Sequence, residues 1–388
     1  MNIHTPLPLL GGLSPQTFMR RHWGKKPLLI RHALPGFRPL LERAELLQLA
    51  AADDVESRLV VLPHADPQGR WQLKHGPFAR KSLPPFKTPG WTVLVQGVDL
   101  HDERVYQLLN QFRFVPDARL DDLMISYATD GGGVGPHVDS YDVFLLQAYG
   151  QRRWRIGRQK DRSLLPDMAL KILAHFEPEQ EFVLEPGDML YLPPQWAHEG
   201  IAVGECMTYS IGLRAPSKGD LARELLQRLA EQASDQIGTA IYRDPQQAAV
   251  SSSAEIPDGL LRFAQTALQT ALKDPLALHR ALGEVLTEPK AQVWFQGGQA
   301  LAGGGVRLDR RTRMLFDAKH VFINGESFRA TGSDARHMRE LADARQLAAS
   351  AVAKLSPDAQ ALLAQWCEDG WLHATDGTPG WIGPGSKE

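Results

Sequence analysis

The sequence predicts a mainly β domain, followed by helices and then by a smaller α+β domain. Short apolar runs separated by turn residues fill residues 92–215, and amphipathic helical periodicity begins near residue 220. Strand-like runs return after residue 305. A chain of 388 residues has room for two or three domains, each with its own core. We therefore expect a barrel or sandwich within residues 1–215 with its centre at 92–215, a helical region at 216–290, and an α+β domain at 291–388.

The composition is that of an ordinary globular protein. Hydrophobic residues make up 43% and charged residues 23%, and the formal net charge of −2 gives no whole-chain reason to expect nucleic-acid binding. The first ten residues lack the pattern of a signal peptide, and no apolar run approaches the roughly 18 residues of a membrane helix. Cys206 and Cys367 lie far apart, which fits a reducing compartment. We expect a cytoplasmic protein without a membrane segment.

The first part of the chain mixes short helices and strands. Ser14 as N-cap and Pro15 at the first helical position predict that a helix begins there. The remaining patterns predict helices at 14–23, 40–51 and 102–114, and strands at 26–31 and 91–96.

From residue 123 the pattern is that of strands. We expect Gly150 to separate two of them and Pro193-Pro194 to end another, which would place His198 on a stiff loop. The predicted strands are 123–128, one beginning at 137, then 142–149, 151–156, 181–184, 189–192, 202–203 and 206–212. Many short strands favour a barrel with a ligand in its mouth.

The last part predicts helices and a hairpin. Helices are expected at 220–237 and, as a pair broken at Pro275, at 258–286, and their apolar stripes predict either an internal core or a subunit interface. Asn324-Gly325 predicts a tight hairpin among strands at 306–308, 314–316 and 321–323. Helices at 334–349 and 357–366 complete a pattern typical of a winged helix. Because no basic run marks a recognition helix, we do not expect nucleic-acid binding.

One stretch carries the chemistry. The glycine-rich run from Gly131 ends at Pro136, and His137-Val-Asp139 then opens a strand. Residues two apart on a strand point the same way, so the imidazole and the carboxylate share one side. His198, which follows the turn Pro186-Gly-Asp188, is the candidate third ligand. The trio matches the two-His-one-carboxylate triad of non-haem Fe(II) oxygenases.

Two other histidine-containing stretches and the glycine run have simpler structural interpretations. His64-Ala-Asp66 repeats the spacing within a Pro- and Gly-rich loop, and His101 opens a charged helix, so both are interpreted as surface positions. The glycine run lacks a following Gly-Lys-Ser/Thr and a helix start, which argues against a phosphate-binding loop.

A 2-oxoglutarate co-substrate would need a cation for its distal carboxylate. Arg152 shares a strand face with the apolar Trp154 and Ile156, whereas Arg153 and Arg155 share the outward face, so Arg152 is the candidate. The alternative is that all three arginines are solvated. Ser126 and Tyr209 are lesser candidates for co-substrate contact, and structural hydroxyls are the equally plausible interpretation of both.

These residues resemble the JmjC-type cupin (double-stranded β-helix) oxygenases, and within them the bacterial ribosomal oxygenases. The matching motifs are residues 122–126, 131–144, 152–155, 186–198 and 209–215, and the order of a cupin, a helical and a winged-helix domain is similar. The resemblance implies iron held by His137, Asp139 and His198, and 2-oxoglutarate bound through Arg152. It also implies a homodimer and the use of O2 to hydroxylate an arginine side chain of a large-subunit ribosomal protein of the L-sixteen type.

The sequence is also compatible with other functions. An arginine substrate would need acceptors, and Asp117, Asp121, Tyr141 and Asp142 are weak candidates. One rival is a metal-dependent cupin isomerase that uses Zn or Mn, and another is a winged-helix nucleic-acid-binding protein with a relic cupin. A third keeps the chemistry but acts on a histone-like tail or a small molecule.

Overall fold

A computed structural model describes residues 2–66, 69–298, 301 and 303–375, without the side chains of residues 232–237. The chain divides into two compact units, Met1–Ala215 and Pro216–Glu388. The finer three-part division stays a prediction. Within the described part of the chain, no helix combines the length and apolar character needed to cross a bilayer.

The first unit is built around a large antiparallel sheet, which confirms the predicted mainly β domain. In spatial order, its path is β1-β9-β7-β10-β5-β4-β2-β3, with β6 paired to β10 and β8 paired to β7. Its helices and strands are α1 (Pro15–Arg21), β1 (Leu28–Ile30), α2 (Arg43–Ala50), β2 (Ser57–Val61), β3 (Gln72–His75), β4 (Trp91–Val95), α3 (Glu103–Asn110), β5 (Leu120–Ala128), β6 (His137–Val138), β7 (Asp142–Gly157), β8 (Gln180–Leu184), β9 (Met189–Leu192) and β10 (Ala197–Leu213).

The predicted start of α1 is confirmed. Ser14 accepts a hydrogen bond from the Thr17 backbone N–H, and Pro15 occupies the first helical position. Phe18 of this helix is fully buried and packs against Phe144 and Tyr191 of the sheet, with ring centroids 5.5 and 4.9 Å apart. An aromatic core therefore covers one face of the central strands and leaves the other face for the candidate site.

The prediction that Gly150 separates two strands was wrong. β7 runs through it to Gly157 and pairs with β10 along its length, although the pairing register shifts between Val203 and Met207. Gly150 has a φ of +60°, and a Cβ there would overlap the Glu205 carbonyl oxygen. Glycine therefore forms a bulge within the strand instead of a turn between strands.

His198 was also misplaced by the sequence analysis. It is the second residue of β10 rather than a loop residue, because the strand begins at Ala197. The predicted strands at 202–203 and 206–212 are parts of this same strand. Its pairing with β6 sets His198 directly opposite His137.

The second unit contains helices and two three-stranded sheets. Its helices and strands are α4 (Lys218–Ile237), α5 (Asp258–Ala271), α6 (Ala277–Thr287), β11 (Gly305–Leu308), β12 (Met314–Phe316), β13 (His320–Ile323), β14 (Glu326–Arg329), α7 (Gly332–Ala344), β15 (Gln346–Leu347), α8 (Ala349–Val352), α9 (Pro357–Glu368) and β16 (Leu372–Thr375).

The hairpin and most helices of this unit agree with the sequence analysis. Asn324 and Gly325 both have positive φ and join β13 to β14, where Ile323 pairs with Glu326. The helix predicted to reach residue 349 ends at Ala344 instead, because Arg345 adopts a left-handed conformation and its Nη2 donates to the Asp309 and Thr312 carbonyl oxygens.

Candidate active site

Three side chains converge where β6 meets β10. His198 Nε2 lies 3.6 Å from Asp139 Oδ2, and His137 Nε2 lies 3.9 Å from Asp139 Oδ1. The two imidazole centroids are 4.3 Å apart. Within the described part of the chain, these three residues form the one group of His, Cys, Asp or Glu side chains whose ligand atoms lie close enough to share an ion.

The backbone fixes the tautomer of both histidines. His137 Nδ1 lies 2.9 Å from the Gly135 carbonyl oxygen, and His198 Nδ1 lies 3.0 Å from that of Trp196. A carbonyl can only accept, so each Nδ1 carries the proton and each Nε2 presents a lone pair toward Asp139. Burial, together with the neighbouring His137, lowers the pKa of His198 to about 4. In this tautomer the Nε2 atoms of both histidines can bind a cation.

The glycine run lets its loop lie against β10. A Cβ on Gly133 would sit 2.5 Å from the Gly200 carbonyl oxygen, and one on Gly135 would sit 2.7 Å from the Trp71 ring. A side chain at Gly133 would push the loop away from β10, and one at Gly135 would collide with Trp71. The glycines therefore keep His137 opposite His198, which explains the run without a phosphate-binding role.

Arg152 lies on the same face of the sheet and is only 4% exposed. Its Nη1 donates to Ser126 Oγ at 3.2 Å and to Thr208 Oγ1 at 3.1 Å, whereas its Nε has no partner. Among the described residues, no carboxylate pairs with this guanidinium. A buried, unpaired cation costs several kcal/mol unless an anion joins it, so the position suits a carboxylate ligand.

The bulge at Gly150 explains why strand alternation identified Arg152. Before the bulge, Val143 and Leu145 face the site side of the sheet, and after it Trp154 and Ile156 face the same side. The side-chain parity therefore changes at Gly150. Alternation predicted the inward orientation of Arg152 correctly because it used only residues beyond the bulge, and the role of Arg152 as a co-substrate contact stays a prediction.

Tyr209 does not lie on this face. Its hydroxyl accepts hydrogen bonds from the backbone N–H groups of Leu40 and Leu41, at 2.9 and 3.2 Å, and its ring belongs to the aromatic core. The neighbouring Thr208 points to the site instead, because consecutive strand residues face opposite sides. We therefore withdraw Tyr209 as a contact of the co-substrate.

Two polar residues of the site were missed by the sequence analysis. Thr208 and Gln147 are 1% and 0% exposed, and Thr208 Oγ1 donates to Gln147 Oε1 at 3.0 Å. A lone Thr or Gln within an apolar strand gives no sequence signal of function. The pairing register, in which Thr208 lies opposite both Gln147 and Ser126, was needed to bring them together.

The three acidic residues that were candidates for substrate binding all have partners within the chain. Asp117 and Asp121 form ion pairs with Arg113 and Arg214. Asp142 is buried and accepts from the Tyr191 hydroxyl and the Gly24 N–H, so its role is structural.

Asp122, which the sequence analysis passed over, shares the face of Ser126. It is buried, and its Oδ2 accepts from Gln96 Nε2 at 2.9 Å and from the Gly97 N–H at 3.1 Å. Burial of the phenol, followed by the charges of Asp139 and Asp122, raises the pKa of Tyr141, although the residue as a whole is 39% exposed.

The donor set fits a ferrous ion and a 2-oxo dicarboxylate. Two neutral imidazole nitrogens and one carboxylate are the facial set of non-haem iron sites, and the set leaves coordination positions for other ligands. The unsatisfied Nε of Arg152 meets the need of a second, distal carboxylate.

Comparison with protein families gives two matches along the chain. Residues 107–221 match the model of the JmjC domain, and residues 270–373 match that of the ROXA-like winged helix. The first match contains all three of the converging residues and Arg152.

Two curated relatives align with a little over half of the chain. The chain is 41% identical over 230 residues to the ribosomal protein uL16 3-hydroxylase of Escherichia coli K12, covering 59% of this chain and 59% of that protein. It is 40% identical over 216 residues to a probable ribosomal oxygenase of Haemophilus influenzae, covering 54% and 52%. These alignments span a little over half the length of either relative.

Solved structures extend the similarity to almost the whole chain. The crystal structure of E. coli YcfD matches with a TM-score of 0.76 at 30% identity and covers 92% of this chain and 96% of that one. A YcfD structure described as a ribosomal oxygenase in complex with cobalt and 2-oxoglutarate matches with a TM-score of 0.75, covering 93% and 98%.

Proposed function

We propose an activity for this chain, which belongs to the bacterial JmjC-type ribosomal oxygenases: it is an Fe(II)- and 2-oxoglutarate-dependent oxygenase that hydroxylates a ribosomal protein. The observation that carries the proposal is the combination of the His137, Asp139 and His198 cluster with the unpaired, buried Arg152 on the same sheet face. Relatives with the same architecture bear the names of such enzymes.

In this proposal each polar group has one task. His137, Asp139 and His198 hold the ferrous ion, and Arg152 holds the distal carboxylate of 2-oxoglutarate. The bound iron and co-substrate supply the oxidising chemistry, in which 2-oxoglutarate and O2 give succinate, carbon dioxide and one oxygen atom for the substrate. The chain itself holds each imidazole by a hydrogen bond between Nδ1 and a backbone carbonyl oxygen, and it places the apolar side chains of Trp154 and Ile156 on the same face.

The proposed substrate is an arginine side chain of ribosomal protein uL16. A relative carries the name of a uL16 3-hydroxylase, and it aligns with this chain at 41% identity.

The enzyme is also proposed to act as a homodimer. Helix α5 spans fourteen residues without one buried side chain, and Leu261 and Leu268 are 52% and 68% exposed. Such an apolar surface is typical of an interface. A second copy of the chain is the proposed partner, and a cytoplasmic location stays a prediction.

Incubation with purified uL16 tests the activity. With Fe(II), 2-oxoglutarate and O2, we expect uL16 to gain one oxygen atom by mass spectrometry, fragment spectra to place it on an arginine, and succinate to form in equal amount. Omission of 2-oxoglutarate should abolish the gain. Absence of both succinate and oxygen incorporation under these conditions would reject the proposal and favour a metal-dependent isomerase, which would not consume 2-oxoglutarate.

A further inference from the structure

We infer that Thr208 and Gln147 are positioning residues that orient the guanidinium of Arg152 for the distal carboxylate of a dicarboxylic 2-oxo acid. Neither residue is argued to touch the co-substrate. The inference rests on the proposed function, since it concerns how Arg152, the proposed ligand of the distal carboxylate, is held in place. It is carried by a chain of buried hydrogen bonds that begins at the Gly150 bulge and ends at Arg152.

The direction of this chain is fixed at its start. Gln147 Nε2 donates to the Tyr149 carbonyl oxygen at 2.8 Å and to that of Gly150 at 3.2 Å. Because both partners are acceptors, the amide cannot flip, and its Oε1 must face Thr208. The Gln147 backbone is held as well, since it pairs with Asp188 and Gly187 at the turn before β9.

Thr208 passes this orientation to the arginine. Its hydroxyl has one proton, which goes to Gln147 Oε1, so its oxygen is left to accept from Arg152 Nη1. Ser126 Oγ accepts the other Nη1 proton and donates to the Thr208 carbonyl oxygen at 3.4 Å. Both Nη1 protons are therefore used within the protein.

The remaining donors of Arg152 define what it can bind. Nε has no partner, and no described residue accepts from Nη2. These two nitrogens form one edge of the planar guanidinium, and two parallel N–H groups match the two oxygens of a carboxylate. A lysine could not reproduce such a fork. The hydrogen bonds from Gln147 through Thr208 to Arg152 therefore favour a ligand with a carboxylate at the far end from the metal. A 2-oxo monocarboxylate or oxalate has no such distal carboxylate and would not contact Arg152 in this way.

Equilibrium binding tests the inference with the variant Thr208→Val, which keeps the shape of the side chain and removes the hydroxyl. Titration calorimetry with Mn(II) in place of Fe(II) measures Kd for 2-oxoglutarate and, separately, for oxalate. Loss of a hydrogen bond to a charged group should weaken 2-oxoglutarate binding by about ten- to a hundredfold. Oxalate binding should stay at the wild-type value, because oxalate has no distal carboxylate for Arg152.

The matched control is Thr208→Ser, which retains the hydroxyl and should bind 2-oxoglutarate within about threefold of the wild type. Should Thr208→Val fail to fold, Gln147→Met removes the acceptor for Thr208 and should weaken 2-oxoglutarate but not oxalate. Equal weakening of both ligands, or an unchanged Kd for 2-oxoglutarate in the folded variant, overturns the inference. If the wild-type protein itself binds no 2-oxoglutarate, the proposed function fails instead.

Discussion

At the scale of single residues, the proposed metal ligands differ in how firmly they are held. The His198 side chain is 3% exposed, whereas those of His137 and Asp139 are about a fifth exposed. His198 is therefore fixed inside the sheet, and the other two form the open side of the site.

Replacing Asp139 by alanine should abolish metal binding. The change removes the one carboxylate of the cluster and leaves two neutral imidazoles, which bind a divalent ion more weakly. Titration with Co(II), followed by visible absorption, should show loss of the bound-metal bands, and turnover of 2-oxoglutarate should disappear while the variant stays folded. His137→Ala should behave in the same way.

Asp161→Ala is the control for this prediction, because Asp161 lies in an exposed loop and bonds to Ser163. It should bind Co(II) like the wild type. Wild-type activity in Asp139→Ala or His137→Ala would show that the ligands are assigned wrongly.

Tyr209→Phe should reduce stability without affecting co-substrate binding. The hydroxyl satisfies two backbone N–H groups, so its loss should lower the free energy of unfolding by about 1–3 kcal/mol in urea denaturation. The Kd of 2-oxoglutarate should remain that of the wild type, since the ring lies on the opposite face of the sheet. A rise in Kd at unchanged stability would restore Tyr209 as a contact.

Asp188 should make stability depend on pH. Burial alone would raise the pKa of its carboxyl, but the His32 N–H, the Arg31 guanidinium and the Glu185 N–H lower it further than burial raises it. A depressed folded-state pKa stabilises the protein above the unfolded value of about 4, and this contribution is lost as the pH falls through the folded value. Asp188→Asn should therefore lie well below the wild type in unfolding free energy at pH 7 and approach it below about pH 4.

Chemical denaturation at several pH values measures this difference. Asp53→Asn serves for comparison, because Asp53 is exposed and has no ion pair among the described residues. A gap between Asp188→Asn and the wild type that stays constant down to pH 2.5 would contradict the linkage.

At the scale of elements, sequence patterns located most strands but misjudged where they end. Glycine is an ordinary breaker, so Gly150 predicted a turn, yet here it forms a bulge within a sixteen-residue strand. The difference depends on β10, which lies alongside and supplies pairing on both sides of the bulge. Long-range pairing of this kind is not encoded in local periodicity, which also explains why the start of β10 at Ala197 was missed.

Gly150→Ala should destabilise the first unit more than Gly204→Ala does. Both glycines have positive φ, but a Cβ at Gly150 would overlap the Glu205 carbonyl oxygen, whereas one at Gly204 meets no atom within 4 Å. Each variant carries the strain of a left-handed residue, about 1–2 kcal/mol, and only Gly150→Ala adds a steric clash of about 1–3 kcal/mol.

Thermal and urea denaturation compare the two variants directly. Gly150→Ala should also weaken 2-oxoglutarate binding, because the bulge sets the side-chain parity that turns Arg152 inward. Equal loss of stability in the two variants would mean that β7 and β10 separate easily at this point.

At the scale of the whole molecule, the sequence predicted the type and order of the domains. His137 and Asp139 were recognisable because they stand two residues apart where β6 follows the glycine run, and His198 because a turn and two prolines precede it. Thr208 and Gln147 were not recognisable, since their grouping with Ser126 depends on the register of three strands. The partner of α5 was left open for a similar reason: an apolar stripe does not say whether the same chain or another copy covers it.

Introducing charges on α5 should convert the proposed dimer to a monomer. Leu261→Asp with Leu268→Asp places two carboxylates on the exposed apolar surface, where burial in an interface would be costly. Light scattering after size-exclusion chromatography should give the mass of two chains for the wild type and of one for the double variant. Co(II) binding should be retained, because His137, Asp139 and His198 all belong to the other compact unit.

Thr266→Glu provides the comparison, since it adds charge to the same helix at an exposed polar position on the side away from Leu261 and Leu268. It should keep the oligomeric state of the wild type. A monomeric wild type, or a double variant that still has the mass of two chains, would remove α5 from the interface.

The two imidazoles are held by backbone carbonyl groups, which affects which substitutions the protein can tolerate. Every amino acid brings the same C=O to the chain, so the hydrogen bond from His198 to position 196 does not depend on which side chain stands there. The anchoring of Arg152 depends instead on particular hydroxyl groups at 126 and 208. The orientation of the two histidines should therefore tolerate many substitutions at positions 135 and 196 that leave the backbone in place. The orientation of Arg152 should be lost when the hydroxyl groups at positions 126 and 208 are replaced.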